Sequence, residues 1–221
     1  DHLIRAALQR GYCPSSCIAT EAGYQALQSF GFPEPSETIV LSVGLWRELS
    51  QLGSACQFAC VVDLPTYGAI DPLAPSVILD RIQDPGNVGS ILRSASAFGY
   101  RQVLALVGTA ALWSPKVMRA GMGAHFGLQL HESLSSTDLL SLSQLRCVTS
   151  SHAGQAPEQI LSVAGQRHVA WIFGNEGQGV APELASTADG HVKIDQPGGE
   201  ESLNVAAAAA ICLHASAVYK K

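Results

Sequence analysis

The chain has 221 residues, of which 47% are hydrophobic and 14% are charged, and its formal net charge is −5. This length suits one large domain, or one domain with a small partner, and the low charged fraction predicts tight packing and a buried subunit interface. The acidic balance argues against a broadly basic nucleic-acid-binding protein, although a local cluster of Arg and Lys can still form such a surface. No run of about 18 apolar residues or secretory signal is visible, so we expect a cytoplasmic protein with no membrane span.

Residues 1–62 predict a small α/β domain. Helix patterns that end at Gly11, Gly31 and Gly53 alternate with strand-like runs such as ETIVLS and QFACVVDL. The Pro- and Gly-containing segment that follows predicts a linker over residues 63–75. Because the chain opens without a methionine, we expect the start of this first domain to be missing.

Six cysteines are present, and four of them form the pairs CPSSC and CQFAC. Four such thiols would hold a zinc ion if they converged. The second pair, however, lies in a strand-like run, where side chains four residues apart share a face but are roughly 13 Å apart. We therefore expect reduced core thiols and no metal, with a zinc-binding structural module as the alternative.

Residues 76–221 predict a larger α/β domain. Strands are expected at SVILD, QVLALV, RCVTSS, HVAWIFG and HVKID, and helices at 87–99, 114–121 and 204–219. Apolar strands that alternate with helices are typical of a mostly parallel sheet with helices on both faces.

Three sequence clusters contain candidate functional residues. The first is DRIQDPGNVGSILRSASAFG, residues 80–99. The tripeptide DPG predicts a turn, and Asn87 is expected to cap the helix that follows. Arg93 lies two turns into this helix, among Ser and Ala. Taken alone, Arg93 is better explained as a surface side chain whose aliphatic part covers the core.

The second cluster is the loop FGNEGQGV at 173–180, directly after an apolar strand. Gly174, Gly177 and Gly179 let a flat ligand approach the main chain. Their order differs from the dinucleotide pattern G-x-G-x-x-G, the loop lies late in the chain, and no G-x-x-x-x-G-K-[ST] is present. A phosphate ligand is therefore disfavoured, and a plain glycine-rich turn is the alternative.

The third cluster is HVKIDQPGGEESLNVAAAAAICLHASA, residues 191–217. A short strand leads through Pro-Gly-Gly to Ser202 and Asn204, either of which can cap the helix that follows. Alanine on nearly every face of this helix permits very close packing, which suits a crowded fold or a subunit interface.

Together, in this order and spacing, the clusters resemble the SpoU-type (TrmH-like) branch of the SPOUT RNA methyltransferases over roughly residues 76–219. That family carries N-x-G-x-I-x-R-[TS]-A, then G-x-E-x-x-G, then G-x-x-x-S-L-N-V. The matching residues are Asn87, Gly89, Ile91, Arg93, Ser94, Ala95, Gly174, Glu176, Gly177, Gly179, Gly198, Ser202, Leu203, Asn204 and Val205. Residues 1–62 look like the end of the ribosomal-protein-L30e-like substrate-binding domain that often precedes this catalytic domain.

The resemblance implies an α/β fold with a deep trefoil knot, a homodimer, and methyl transfer from S-adenosylmethionine to a ribose 2′-hydroxyl of RNA. Ribosomal RNA is favoured, with transfer RNA as the alternative. The implied cofactor contacts are Gly174, Asn175, Gly177, Gly179, Ile194, Ser202 and Leu203. The implied catalytic residues are Arg93, Asn87, Ser202, Asn204 and Glu176, and RNA is expected to contact Arg93, Lys116, Arg119, Arg5 and Arg10.

Several of these implied roles have alternatives. Arg93 acts either as the base or, because a guanidinium keeps its proton far above neutral pH, as a phosphate ligand that stabilises the developing alkoxide. Asn87 orients Arg93 or the RNA backbone, and Glu176 braces the glycine loop or reaches across the dimer. Lys116 and Arg119, three residues apart, equally suit a surface salt-bridge face.

One departure from the family pattern is present, where Asp195 and Gln196 replace an apolar pair beside the cofactor. A catalytically silent RNA-binding or ribosome-assembly module of the same fold is the competing function. The sequence of such a silent module would lack Arg93, Asn204 or the loop glycines, and all of these are present. A dehydrogenase would need an early G-x-G-x-x-G with an acid about 20 residues further on, and neither is present.

Overall fold

The computed structural model describes residues 2–29, 31–33, 35–50, 56–165, 167–199 and 202–219. They form two compact units, one within residues 1–66 and one within residues 67–221. The division falls inside the predicted linker. The predicted helix end at Gly53 lies outside the described residues, and no described helix is long and apolar enough to cross a membrane.

In its described residues, the first unit is a three-stranded sheet with three helices. Its elements are α1 (His2–Gln9), β1 (Ser16–Thr20), α2 (Glu21–Ser29), β2 (Glu37–Leu41), α3 (Val43–Leu49) and β3 (Phe58–Val61). The central strand β1 pairs in parallel with β2 and antiparallel with β3. Its assignment as an L30e-like domain stays a prediction.

Two of the predicted thiols meet inside the first unit. Cys17 and Cys60 lie opposite each other on β1 and β3, with 3.9 Å between their sulfur atoms. All six cysteines are free. Among the described residues, no group of three or more His, Cys, Asp or Glu side chains is arranged to hold a metal ion.

The second unit contains a six-stranded sheet and five α-helices among its described residues. Its elements are β4 (Ser76–Leu79), α4 (Pro85–Ala97), β5 (Gln102–Leu106), α5 (Pro115–Gly121), a 3₁₀ turn (Ala124–Gly127), β6 (Gln129–Leu134), a second 3₁₀ turn (Ser136–Ser141), β7 (Leu145–Thr149), α6 (Pro157–Ala164), β8 (Val169–Phe173), α7 (Pro182–Ser186), β9 (Gly190–Val192) and α8 (Val205–Tyr219). The strand order is β6-β5-β4-β8-β7-β9, and every neighbouring pair is parallel. The predicted parallel α/β fold is thus confirmed.

Both faces of this sheet are covered. Side chains of β4 alternate between two cores: Val77 and Leu79 pack with α4 and α8, whereas Ile78 packs on the other face with the second 3₁₀ turn and α7. All residues of β4, β5 and β8 are buried. This double burial explains why these strands are apolar except at their first residues, Ser76 in β4 and Gln102 in β5.

Part of the predicted linker is held firmly by the second unit. The fully buried Gln102 side chain accepts a hydrogen bond from the backbone N–H of Asp71 at 2.9 Å and donates to the Ser76 hydroxyl at 2.9 Å. Gln144 donates to the carbonyls of Pro72 and Ala74. These contacts leave residues 71–76 ordered against the amino-terminal edge of the sheet.

Candidate active site

A cavity of about 700 Å³ lies at the carboxyl edge of the large sheet, where the loops after β7, β8 and β9 meet the start of α8. Ligands of open α/β sheets bind at this edge. All seven predicted cofactor contacts line the cavity: Gly174, Asn175, Gly177, Gly179, Ile194, Ser202 and Leu203. Gln196 also lines it, at the position where the sequence departs from the family pattern.

The loop after β7 also forms part of this wall, although no sequence motif indicated it. Ser150, Ser151 and His152 line the cavity, as does His191 of β9. The Ser150 hydroxyl accepts hydrogen bonds from the backbone N–H groups of His152 and Ala153, which closes a tight turn. A small polar run directly after an apolar strand was the signal available for this loop.

The glycine loop is a tight reversal closed by its own main chain. Asn175 and Gly179 exchange two backbone hydrogen bonds of 3.0 and 2.8 Å. The Asn175 side chain accepts from the backbone N–H groups of Gly177 and Gln178, both at 3.0 Å. A Cβ at Gly174 would overlap the backbone of Gly179 and Val180, and Gly179 has a φ of +67°. Glycine at these two positions is therefore a requirement of the loop itself.

Helix α4 begins earlier than predicted, so the expected cap at Asn87 is wrong. The N-cap is Asp84, whose carboxylate accepts a 2.7 Å hydrogen bond from the backbone N–H of Asn87, with Pro85 at the first helical position. Proline suits that position because its missing N–H needs no partner there. The side chain of Asn87 is consequently left for contacts outside its own helix.

Glu176 of the glycine loop binds the start of α4. Its carboxylate accepts hydrogen bonds from the backbone N–H groups of Gln83 (3.3 Å) and Asp84 (3.2 Å) and from the Asn87 side chain (3.1 Å). Burial raises the pKa of Glu176, but these hydrogen bonds outweigh that effect and bring the pKa below its ordinary value. Glu176 is therefore an ionised brace between two of the three clusters.

The third cluster joins the same network. The Asn204 side chain donates to the Asn87 side-chain oxygen at 2.9 Å, and its own oxygen accepts from the backbone N–H groups of Ala206 and Ala207. Asn204 thus caps α8, as predicted, and also fixes α8 to α4. One amide, that of Asn87, connects Glu176 to Asn204.

Arg93 lies outside the cavity wall. It is exposed on α4 and makes no hydrogen bond or ion pair with the residues that the structure describes, Asn87 included. Helix α4 packs tightly on α5, since a Cβ at Gly89 would overlap Ala120 and the carbonyl of Val117. The close packing of these helices explains the glycine in the motif.

The other predicted RNA contacts divide between the two units. Lys116 and Arg119 are exposed on α5, the helix that packs against α4. Arg5, on α1, and Arg10, just after it, are exposed in the first unit. Within the second unit, Lys116 and Arg119 thus lie on the helix that packs against the helix of Arg93.

These features define an α/β protein with a ligand site at the carboxyl edge of a parallel sheet. The chain belongs to the SpoU rRNA methylase family, whose family model matches residues 74–214. It is 31% identical over 180 residues to the 23S rRNA (guanosine(2553)-2′-O)-methyltransferase RlmP of Bacillus subtilis, a match that covers 79% of this chain and 70% of that protein. A shorter match, 48% identical over 73 residues, covers 33% of this chain and 16% of the mitochondrial rRNA methyltransferase 3B of Danio rerio.

Solved structures agree with this family. A TrmH-family protein from Porphyromonas gingivalis has a TM-score of 0.81 and 28% identity, covering 98% of this chain and 87% of that one. The SpoU methyltransferase AviRb from Streptomyces viridochromogenes, solved with its cofactor AdoMet, has a similar fold, with a TM-score of 0.83 and 23% identity over 98% of this chain and 87% of that one. The predicted family is therefore confirmed, whereas the trefoil knot stays a prediction.

Proposed function

We propose that this protein transfers the methyl group of S-adenosylmethionine to a ribose 2′-hydroxyl of ribosomal RNA. The observation that carries the proposal is that the second and third motif segments line one cavity, while Asn87 of the first segment is hydrogen-bonded to both, through Glu176 and Asn204. Membership of the SpoU family supports the reaction, and the names of relatives such as RlmP support ribosomal RNA as the substrate. The free thiols are typical of a reducing compartment, and we propose a cytoplasmic location.

The cavity fits S-adenosylmethionine. Its volume lies in the range of small-molecule sites, and its wall combines apolar side chains such as Val192, Ile194 and Leu203 with polar ones such as Ser202. Gly177 and Gly179 line the cavity without side chains, so a planar group can lie against their main chain. When bound, the cofactor supplies a methyl group already activated on a sulfonium.

The protein's own residues then have two tasks, to position the ribose and to help its hydroxyl lose a proton. Asn204 has a second side-chain N–H beyond the one that Asn87 accepts, and Ser202 lies beside it on the cavity wall. We assign these two groups to the 2′-hydroxyl. Asn87 and Glu176 hold Asn204 in place, and their hydrogen bonds support a positioning role for both.

Arg93 is assigned to the RNA phosphate next to the reacting ribose. An arginine fork matches phosphate oxygens, and a cation close to the developing alkoxide stabilises it. The exposed guanidinium of Arg93, free of partners in the described part of the chain, supports this role. Lys116 and Arg119 on the adjoining helix extend the same basic surface.

The exposed side of α8 supports a homodimer. Ala207, Ile211, His214 and Val218 lie at helical spacing on this side, and Ile211 and Val218 are 41% and 53% exposed. On the other side of α8, residues such as Cys212 and Leu213 are buried in the core. A helix that is apolar all round is normally buried all round, so we assign the exposed stripe to a second copy of this chain.

Replacing Ile211 with glutamate should convert a dimer to monomers, because the interface would then bury an unpaired carboxylate. The molar mass from light scattering during size-exclusion chromatography measures this. The matched control is Leu140→Glu, a substitution at a 67% exposed leucine on the opposite face of the sheet, which should leave the mass unchanged. A dimeric Ile211→Glu variant contradicts the assigned interface.

The reaction itself is tested with radiolabelled S-adenosylmethionine and separate pools of ribosomal and transfer RNA from cells that lack the gene. After digestion to nucleosides, we expect label in a 2′-O-methylnucleoside from ribosomal RNA. Label only in transfer RNA would instead support the alternative substrate. Absence of both label and cofactor binding would favour a silent RNA-binding module.

A further inference from the structure

An ion pair without an assigned role lies behind the glycine loop. Asp80 follows β4 directly, and its side chain is 3% exposed. The neighbouring Arg81 binds both carboxylate oxygens, from Nε to Oδ1 at 2.9 Å and from Nη2 to Oδ2 at 3.1 Å. The same carboxylate accepts a 2.7 Å hydrogen bond from the backbone N–H of Ala181, just beyond the loop.

Arg81 also contacts the loop directly, at three points. Its Nη1 donates to the Gln178 side chain at 2.9 Å, and its Nη2 donates to the carbonyl of Gly179 at 3.3 Å. Its own carbonyl accepts a 2.9 Å hydrogen bond from the Asn175 side chain. One residue at the end of β4 thereby holds both arms of a loop that lies more than 90 residues further along the chain.

The backbone conformation of Arg81 is unfavourable for an arginine, which indicates that the contacts of its side chain stabilise it. Its φ is +56°, in the left-handed region that glycine adopts readily and other residues seldom do. Beside it, Gly108 leaves room for the aliphatic part of the side chain, since a Cβ there would lie 3.1 Å from the Arg81 Cγ. An arginine in a strained conformation persists only where its surroundings compensate, and here the compensation is the set of contacts with the loop.

We infer that Arg81 is a positioning residue for the cofactor, because its guanidinium joins the buried Asp80 to Gln178 and Gly179 and so holds the loop in the shape that lines the cavity. The inference rests on the proposed function, since it takes the ligand to be S-adenosylmethionine. Arg81 does not line the cavity. It acts through the loop by ordering it before the ligand arrives, which lowers the entropic cost of binding.

Two substitutions separate loop positioning from simple stability. Arg81→Lys keeps a cation beside Asp80 but removes the planar fork that reaches several acceptors at once. Gln178→Ala leaves the ion pair intact and removes one loop contact, so it provides a test even if the Arg81 variant folds poorly. The matched control is Arg101→Lys, an exposed arginine just before β5, at the opposite edge of the sheet.

The first measurement is the Kd for S-adenosylhomocysteine by isothermal titration calorimetry, together with the melting temperature of the ligand-free protein. We expect about a tenfold higher Kd for Arg81→Lys, equal to about 1.4 kcal/mol, and about a threefold higher Kd for Gln178→Ala. Melting temperatures of both should stay close to that of the unsubstituted protein. With a labelled RNA substrate, KM for the cofactor should rise while kcat stays nearly constant.

The outcomes distinguish this inference from the function on which it rests. If the unsubstituted protein fails to bind S-adenosylhomocysteine, the cofactor assignment falls, and the role of Arg81 falls with it. If that protein binds and both variants bind equally well, only the role of Arg81 is overturned. A drop in melting temperature without a change in Kd also overturns it, because that result shows a structural role alone.

Discussion

Arg93→Ala is expected to lower the rate of methyl transfer roughly 100- to 1,000-fold, the loss typical of removing one group that stabilises developing charge. Cofactor affinity should change by less than about threefold. The physical reason is the position of Arg93, which is exposed on α4 and does not line the cavity. The role proposed for Arg93 concerns the RNA and the reacting oxygen, so its loss should leave the cofactor site intact.

The measurement is single-turnover transfer of labelled methyl groups to ribosomal RNA, with cofactor Kd determined in parallel. Arg93→Lys should recover part of the rate, because a lysine keeps the charge but lacks the fork. Arg167→Ala, at an exposed arginine just before β8 and far from the carboxyl edge, serves as the control and should be fully active. Full activity in Arg93→Ala would sink the catalytic assignment.

Gly174→Ala is expected to raise the cofactor Kd at least about 100-fold and to destabilise the fold by about 2–3 kcal/mol, as overpacking against backbone does. The added Cβ would overlap the backbone of Gly179 and Val180. Neither can yield easily, because Gly179 is hydrogen-bonded to Asn175 and held by Arg81. The loop must open, and the wall of the cavity is lost.

Calorimetric binding of S-adenosylhomocysteine and thermal unfolding together measure this effect. Gly177→Ala is the comparison within the same loop, since a Cβ there would meet only the Asn175 side chain, at an ordinary 3.7 Å. Its melting temperature should stay near that of the unsubstituted protein. Equal melting temperatures for the two variants would contradict the prediction, because they would show that a Cβ at Gly174 can be accommodated beside the backbone of Gly179 and Val180.

Several secondary-structure elements were not predicted from the sequence, and the reasons can be identified. Strand β6 (Gln129–Leu134) is an edge strand with one fully buried residue, so it lacks the apolar run that marked the central strands. Helix α6 (Pro157–Ala164) is short and has no side-chain cap at its start, so only the proline and the acidic residue of its first turn mark where it begins. The error at Asn87 is different, because Asp-Pro is itself a start signal and Asp84 was visible in the chain.

The parts of the candidate site that depend on residues close together in the sequence were predictable. Glycines in a loop after an apolar strand indicated close approach to the main chain, and each predicted cofactor contact lines the cavity. The role of Arg81 was not predictable, because its partners Gln178 and Gly179 lie 97 and 98 residues away. Nothing in the residues around Arg81 indicates which distant loop will approach it.

The amino-acid sequence by itself determined the alternation of strands and helices, the apolar strands of a doubly covered sheet, and the motif residues of the family. These properties follow from periodicity and side-chain chemistry over a few residues. Only the tertiary structure decided which segments meet. The strand order places the ends of β4 and β8 side by side, and it thereby brings Asn87 to Glu176, 89 residues away, and to Asn204, 117 residues away. Such contacts depend on how the whole sheet pairs, which no local pattern specifies.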